Sequence, residues 1–332
     1  MVRTAILVGA IALLTGCGGS SRVELPNAEV PARLESVRVQ VRDARGLAIR
    51  NVALEDYVLA TVLSEVDPSS RDAALLERMY EVQAIISRTY AVAHRDRHAH
   101  EGFDLCAGTH CQLYEPVRLR SSRWTAIARD AVARTRGELL WFGGAPAEPL
   151  FHADCGGRTS SAATVWGGAA PSYLAGGRDG GPARDAHVNW TFDTRLADLR
   201  RALNSDERTT VGAALRGVEI ASRDDAGRAA RITLRGTRSV TVRGEVFREA
   251  VTRALGTRTL RSALFTLTRS GDRIVFTGRG FGHGVGLCQA GALARLKSGA
   301  SPERVLAFYY PGTTVRQPAG LQTRHSETSA SR

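Results

Sequence analysis

Glycine occupies every second position from Gly278 to Gly286 in the segment GRGFGHGVGLCQ, residues 278–289. Successive side chains of a β-strand point to opposite faces, so a strand here would present bare backbone on one face. Glycine weakens a strand and is tolerated where the chain bends or where another group approaches the backbone closely. The pattern therefore predicts a glycine-lined strand against which a polymer or a partner lies.

The spacing of these glycines does not match two common nucleotide-binding motifs. The dinucleotide fingerprint requires G-x-G-x-x-G at the start of a helix that follows a strand. A phosphate-binding loop requires a final Gly-Lys-Ser/Thr, which this segment lacks. The segment is therefore assigned to neither class.

The formal net charge of the chain is +12, and nearly all of the positive charge is arginine, since Lys297 is the only lysine. A strongly basic protein favours an anionic partner. The sequence shows no helix-turn-helix, zinc-finger repeat or aromatic RNA-binding signature, so nucleic acid is not the expected partner.

The N-terminus predicts export. Arg3 precedes the apolar run AILVGAIALL, residues 5–14, which is too short to span a bilayer and is typical of a secretory signal. It ends in LTGC, which resembles a bacterial lipobox with Cys17 as the lipidated residue. The alternative is an ordinary signal peptide with a chance cysteine.

We therefore expect a signal peptide over residues 1–16 and a flexible Gly/Ser/Pro tether over residues 17–33. The mature chain would be lipid-anchored on the periplasmic side of the cell envelope. Gly18 stands where an aspartate marks inner-membrane retention in some bacteria, which favours the outer membrane.

Hydrophobic periodicity predicts an α+β fold, because helical patterns dominate early and short strands later. One domain is expected over residues 34–316, followed by a disordered tail over residues 317–332. The predicted elements are a strand over 34–43, helices over 52–66, 75–95, 121–137, 246–256 and 301–312, and hairpins over 218–236 and 264–280.

Glu65 falls on the apolar stripe that Val58 and Val62 define on the first helix. A carboxylate placed there loses solvation, which raises its pKa toward that of a general acid at neutral pH. The alternative is that the helix ends near Ser64 and that Glu65 faces water.

The segment HAHEGFDLCAGTHC, residues 98–111, holds His100, Cys106, His110 and Cys111. Two imidazoles and two thiolates form a sensible tetrahedral zinc set. The alternative is a Cys106–Cys111 disulfide with solvated histidines, and the residues alone leave both open.

The segment FHADCGGRTSSAATVWGG, residues 151–168, contains a second His and Cys. Cys155 or Cys288 as nucleophile with His152 or His283 as base would make a Cys–His dyad. Glycine beside cysteine is more often turn chemistry, so a cysteine enzyme is the weaker interpretation. An even set of cysteines in an exported chain also indicates disulfides, whose pairing the residues do not determine.

Taken together, the motifs resemble the SpoIID/LytB family, in the same order and spacing and from about residue 36 to 315. The motifs that carry the resemblance are LEDYVLATVLSEV, VQAIISRTYAVAH, DLCAGTHCQLYEP, FHADCGGRTSSAATVWGG, YLAGG, FTGRGFGHGVGLCQAGALA and VLAFYYPGT. The family includes peptidoglycan lytic transglycosylases of sporulation and enhancers of cell-wall amidases.

The resemblance implies roles for individual residues. The glutamate of the family's Ser-Glu pair is the catalytic acid and matches Glu65. The cleft-lining arginine matches Arg88, and His/Cys ligands of a structural zinc match His100, Cys106, His110 and Cys111. The further residues that the resemblance places at the substrate are Gln83, Tyr90, His152, His283 and Gln289.

Cys155 and Cys288 occupy positions that are often serine in sporulation members of the family. This paired departure predicts a disulfide between the two glycine-rich segments. The lipobox, in place of the usual membrane helix, implies a cell-envelope lipoprotein outside sporulation.

The expected function is cleavage of the bond from N-acetylmuramic acid to N-acetylglucosamine, with 1,6-anhydro ends as the product. No convincing second carboxylate accompanies Glu65; Asp67 would point elsewhere if the helix continues. A lytic transglycosylase needs only one, because the C6 hydroxyl of the substrate replaces the water that a second carboxylate would activate. The alternative is a non-catalytic glycan-binding enhancer of an amidase.

Overall fold

The computed structural model describes residues 35–66, 71–181 and 187–318. The predicted signal peptide, the tether with Cys17 and nearly all of the predicted tail lie outside the described residues, as does Asp67. Within them the fold is α+β, as the hydrophobic pattern predicts.

Helices occur along the whole length of the described residues. In chain order they are α1 (Leu54–Glu65), α2 (Ala73–Ala93), α3 (Arg118–Ser121), α4 (Thr125–Arg134), α5 (Ala162–Trp166), α6 (Leu196–Asn204), α7 (Gly244–Leu255), α8 (Gln289–Lys297) and α9 (Pro302–Tyr309).

The strands form several small sheets. They are β1 (Ser36–Asp43), β2 (Gly46–Ala53), β3 (Leu105–Cys106), β4 (Leu139–Phe142), β5 (Ala145–Pro146), β6 (Phe151–His152), β7 (Arg158–Thr159), β8 (Gly177–Arg178), β9 (Asn189–Arg195), β10 (Leu215–Arg223), β11 (Ala229–Gly236), β12 (Val240–Arg243), β13 (Phe265–Ser270), β14 (Arg273–Arg279), β15 (Leu287–Cys288) and β16 (Thr314–Arg316).

Two hydrophobic cores organise these elements. The first packs α1, α2 and α4 against β1 and against the C-terminal helices α8 and α9. The second lies among α6, α7 and the antiparallel sheets β10-β11-β12 and β13-β14-β9. The chain leaves the first core after β8 and returns to it at β15, so α8 and α9 pack on α2 despite their distance in sequence.

Local sequence accounts for most element boundaries. Val37, Val39 and Val41 alternate with exposed residues along β1, which gives the strand one buried face. Ser301 caps α9 through its side chain, with Pro302 in the first turn, as predicted. The helix expected over 121–137 is α4 and is shorter, over Thr125–Arg134; α3 ends at Ser121, and extended backbone at Ser122 separates the two.

The glycine segment is not the strand that its alternation predicts. Strand β14 ends at Arg279, and Gly280, Gly282, Gly284 and Gly286 all have positive φ. A Cβ on Gly286 would lie 1.9 Å from the carbonyl oxygen of Leu150, and a Cβ on Gly284 would lie 2.3 Å from Cζ of Arg228. The group that approaches this backbone is therefore the protein itself, and no bare face remains there for a glycan.

None of the helices in the described residues is long and apolar enough to cross a membrane.

Candidate functional site

Glu65 is the last residue of α1, and its side chain is half-buried. The helix extends through this residue and ends at Val66, whose backbone is extended. The helix therefore includes Glu65, and its carboxylate is partly shielded from water, unlike in the alternative that the residues left open.

The loop after β3 holds the Glu65 carboxylate. Its Oε1 atom accepts a hydrogen bond of 2.6 Å from the backbone N–H of Leu113. Burial raises the pKa of Glu65 to about 7; the Leu113 hydrogen bond lowers it in part, and the nearby charge of Glu115 raises it. At neutral pH a large fraction of the carboxyl group is thus protonated, as a general acid requires.

The same loop is fastened to α1 one residue earlier. The backbone N–H of Glu115 donates to the hydroxyl of Ser64 (3.0 Å), which in turn donates to the carbonyl of Ala60 (2.6 Å). The position of the Glu65 carboxylate therefore depends on the conformation of residues 105–116.

Gln289 links the backbone of Glu65 to the side chain of Gln83. Nε2 of Gln289 donates to the backbone carbonyl of Glu65 (3.2 Å) and to Oε1 of Gln83 (3.1 Å). Gln83 is fully buried and donates to Ser87 (3.1 Å). The structure brings these three predicted residues together, with Gln289 at the start of α8 linking distant parts of the sequence.

Arg88 does not line a cleft, which corrects the expectation from the family. Its side chain is fully buried and forms a two-pronged ion pair with Glu55, at 2.9 Å and 2.7 Å. It also donates to the carbonyls of Glu138 and Val132. Arg88 therefore joins α1, α2 and α4, and its charge is paired with Glu55 rather than open to a substrate.

Tyr90 is also buried, and its ring stacks on that of His94 with centroids 4.0 Å apart. Burial raises the pKa of its hydroxyl above the ordinary value. Its contacts are those of a core residue rather than of a group that reaches a substrate.

A His/Cys cluster forms in the loop between α2 and α3. Ligand atoms of His98, Cys106, His110 and Cys111 all lie within 4.8 Å of one another. His100 is absent from this cluster, and its side chain is 79% exposed. His98, which precedes the 3-10 helix Ala99–Glu101, takes its place, whereas His100 lies within that helix.

Two spacings in the cluster match those of zinc ligands, whereas its two sulfurs, 2.8 Å apart, are closer than the ~3.8 Å between thiolates on tetrahedral zinc. Sγ of Cys111 lies 3.4 Å from Nε2 of His98 and 3.7 Å from Nδ1 of His110. Bonds of about 2.3 Å to sulfur and about 2.0 Å to nitrogen place such atoms about 3.5 Å apart around tetrahedral zinc. Nδ1 of His98 hydrogen-bonds Oε1 of Glu101 at 2.6 Å, which orients the ring as an outer-shell carboxylate does in zinc sites.

The Cys106–Cys111 disulfide is not present. The two sulfurs are 2.8 Å apart, whereas a disulfide bond is about 2.05 Å long. The contact between the two sulfurs lowers the pKa of Cys106 and raises that of Cys111, so the two thiols share one proton.

His152 and His283 lie beside each other, with ring centroids 5.4 Å apart. Burial lowers the pKa of both rings, that of His283 to about 4, so both are neutral at physiological pH. The ring centroids of Trp166 and His283 are 5.1 Å apart, and Trp166 is 38% exposed. Sequence analysis missed this aromatic residue, since a single tryptophan at the end of a short helix carries no distinguishing pattern.

The expected Cys155–Cys288 disulfide is absent, and both residues are free thiols with fully buried side chains. The Cys–His dyad is not supported either, because neither sulfur is accessible to a substrate. The two segments do meet, as expected: the backbone N–H of Cys155 donates to Sγ of Cys288 at 3.1 Å.

Comparison with protein families gives two matches. A family model described as Stage II sporulation protein (SpoIID) matches residues 43–142, the segment that contains Glu65 and the His/Cys cluster. A model described as a domain of unknown function (DUF8618) matches residues 177–286.

Curated proteins give the same relationship over most of the chain. It is 30% identical over 275 residues to an uncharacterized protein of Brachyspira hyodysenteriae, covering 81% of this chain and 68% of that protein. It is 28% identical over 294 residues to Stage II sporulation protein D of Bacillus subtilis, covering 85% and 79%. It is 25% identical over 296 residues to the amidase enhancer of Bacillus subtilis, covering 76% of this chain and 40% of that protein.

Proposed function

This chain belongs to the SpoIID/LytB family, and from that membership we propose that it is a cell-wall lytic transglycosylase with Glu65 as its general acid and base. The observation that carries the proposal is the half-buried Glu65 carboxyl group, whose pKa burial raises to about 7. The substrate is the glycan strand of peptidoglycan.

The proposed reaction needs one carboxyl group that changes role. Glu65 donates its proton to the oxygen that joins N-acetylmuramic acid to N-acetylglucosamine, and the bond from that oxygen to C1 breaks. The C6 hydroxyl of the same muramic acid residue then attacks C1 and gives its proton to the Glu65 carboxylate. The products are a 1,6-anhydro end and a free C4 hydroxyl, and Glu65 is protonated again.

The residues around Glu65 support this cycle. The Leu113 N–H stabilises the carboxylate form, while burial favours the neutral form, so neither state is strongly preferred near neutral pH. Gln289 and Gln83 fix the end of α1. Glu65 can therefore both release and accept a proton without a large energetic cost.

A zinc ion at His98, Cys106, His110 and Cys111 has a structural role in this proposal. Four protein ligands leave no open position on the ion for a substrate. Cys111 is two residues from Leu113, so an ion that holds this loop also fixes the Leu113 N–H that donates to Glu65. The ligands shape the site through the backbone and take no part in the reaction.

The test compares the exported chain, with Cys17→Ser to prevent lipidation, and its Glu65→Gln variant on peptide-free glycan strands. Products are identified by mass. We expect 1,6-anhydro ends from the parent chain and a loss of at least about 100-fold in the variant, since general acid catalysis contributes that much. Glu115→Gln is the matched control, because it neutralises the neighbouring carboxylate, and it should retain activity.

Other products would contradict the proposal. Reducing ends that disappear in both variants would indicate a hydrolase in which Glu115 is the second carboxylate. Cleavage that survives in Glu65→Gln would exclude Glu65 as the acid.

The similarity to the amidase enhancer favours one second candidate, a glycan-binding enhancer of a cell-wall amidase. It predicts no cleavage by the purified chain and an increased rate of an added amidase on cell walls. Glu65→Gln would leave that increase unchanged.

We further propose that the protein acts outside the cytoplasm, lipid-anchored through Cys17 in the cell envelope, with the outer membrane favoured. The sequence LTGC supports the anchor. Labelling of the full chain with a radioactive fatty acid, and loss of the label in Cys17→Ser, tests it.

A further inference from the structure

A second group of metal-binding side chains lies away from Glu65. One ring nitrogen of His152 and the sulfurs of Cys155 and Cys288 all lie within 4.8 Å of one another. His152 is 5% exposed, and both cysteines are 0% exposed. Two soft sulfurs and an imidazole buried together form a donor set suited to a thiophilic cation.

Backbone pairing brings the three side chains together. β6 and β15 run parallel, with Cys288 opposite His152. Gly156 and Gly157, both with positive φ, then turn the chain after Cys155. The three ligands thus come from strands and a tight turn, which hold their positions more firmly than an open loop would.

His152 is hydrogen-bonded in the manner of a metal ligand. Its Nδ1 donates to the backbone carbonyl of Val285 at 3.1 Å, and its buried Nε2 has no hydrogen-bond partner. Metal-bound histidines usually donate their other ring N–H to a carbonyl or carboxylate in this way. A neutral ring with one free, buried nitrogen is costly unless something binds that nitrogen.

Both sulfurs accept backbone hydrogen bonds, as metal-bound thiolates do. Sγ of Cys288 accepts from the N–H groups of Cys155 (3.1 Å) and Gly291 (3.3 Å), the latter at the N-terminus of α8. Sγ of Cys155 accepts from Gly157 at 3.2 Å.

Asp179 provides an oxygen at the edge of the group. Its Oδ2 accepts a hydrogen bond of 3.2 Å from the Cys155 thiol and lies outside the set of ligand atoms that are all within 4.8 Å of one another. The same oxygen accepts from the hydroxyl of Tyr309 (2.8 Å), and Arg295 lies 3.3 Å from Oδ1. Gly291 leaves room for these groups, since a Cβ there would lie 2.2 Å from Oδ2 of Asp179.

We propose that Cys155, Cys288 and His152 bind one structural zinc ion that is separate from the His98 cluster. The three central ligands lie outside the segments matched by either family model. The ion would join β6, β15 and the start of α8. The proposal is independent of whether Glu65 is catalytic.

The test counts metal in the full chain, made in a Cys17→Ser background and equilibrated with zinc alone under reducing conditions. We expect two ions per chain in the parent and one in Cys155→Ser/Cys288→Ser. Cys106→Ser/Cys111→Ser is the matched control; it should also hold one ion, at the second site.

Cobalt and heat provide readouts that do not require the new site to be mutated. Cobalt bound to the Cys106→Ser/Cys111→Ser chain should show the visible bands of a tetrahedral thiolate site. Zinc should raise the melting temperature of that variant, because a ligand that binds only the folded state stabilises it.

Three results would overturn the proposal. One is a parent chain with a single ion that Cys155→Ser/Cys288→Ser retains. Another is a Cys106→Ser/Cys111→Ser chain that binds neither zinc nor cobalt. The third is that same chain, isolated without reductant, with no free thiol at Cys155 and Cys288 and a mass lower by a pair of hydrogens, which would mean a disulfide.

Discussion

Glu65 couples one proton to both activity and stability. Its pKa in the folded state is raised from 4.5 to about 7, first by burial, so the folded state binds this proton more tightly than the unfolded chain does. The stabilisation from this proton is fully present below pH 4.5, the pKa of the unfolded chain. It decreases as the unfolded chain releases the proton, and it is lost as pH rises through about 7, where the folded state releases it too.

We predict that cleavage falls on the alkaline side with an apparent pKa of about 7, since only protonated Glu65 can act as the acid.

We also predict that, between about pH 5 and about pH 8, wild type loses about 2 kcal/mol of unfolding free energy relative to Glu65→Gln. Urea unfolding of both proteins at the two pH values measures this. Parallel pH dependence of the two proteins would contradict it.

At the scale of single residues, a second prediction concerns which histidine, His98 or His100, binds zinc. We predict that His98→Asn lowers the zinc content by one ion per chain and slows glycan cleavage, because the loop no longer holds Leu113 against Glu65. His100→Asn should change neither, since its side chain is exposed.

Elemental analysis after dialysis and the cleavage assay provide the two measurements. Loss of zinc in His100→Asn but not in His98→Asn would show that the loop has a different conformation in solution.

At the scale of elements, the segment from Gly280 to Gly286 is a packed connection between the two cores. Gly286 has φ of +70° and contacts the carbonyl of Leu150, whose oxygen also accepts from the N–H of Leu287 at 3.0 Å. Isolated bridges from Asp154 to Phe281 and from Ser160 to Val285 continue the pairing. Residues 150–160 and 280–288 therefore fold as one unit.

We predict that Gly286→Ala lowers the unfolding free energy by at least about 3 kcal/mol, since it adds a clash with Leu150 to the cost of a positive φ. Gly271→Ala is the control. Its φ is +60°, but nothing lies within 4 Å of the added carbon, so only the conformational cost of about 1 kcal/mol applies. Equal losses in urea unfolding would show that Leu150 yields to the new methyl group.

At the scale of the whole molecule, Arg228 joins the two cores. Its side chain is 2% exposed and donates to the carbonyls of Arg158 (2.9 Å) and Cys155 (2.7 Å). Arg228 directly precedes β11, a strand of the second core, whereas Cys155 belongs to the first core. Burial lowers the pKa of Arg228, opposed by the charge of Asp224 first.

We predict that Arg228→Met lowers the unfolding free energy by about 3 to 5 kcal/mol, because it leaves the buried carbonyls of Arg158 and Cys155 without their donor. Arg216→Met, at an exposed position of β10, should change it by less than about 0.5 kcal/mol. Urea unfolding measures both variants. A small effect of Arg228→Met would place the coupling of the two cores elsewhere.

Much of the local structure follows from the sequence alone. The alternation over β1, the helical spacing of α1 and α2, the hairpins β10–β11 and β13–β14 and the Ser301 cap all rest on interactions between near neighbours. Periodicity and capping report such interactions directly. Glu65 on the apolar stripe of α1 is predicted for the same reason.

The long-range contacts do not follow from the sequence pattern, because they depend on what packs against each residue from elsewhere in the chain. Arg88 pairs with Glu55, and the glycine segment packs against Leu150 and Arg228, which no local pattern shows. His98 rather than His100 joins the cysteines, since His100 lies within the 3-10 helix Ala99–Glu101 with its side chain exposed. The sequence by itself determined the residue types of the site, and long-range packing decided which of them meet.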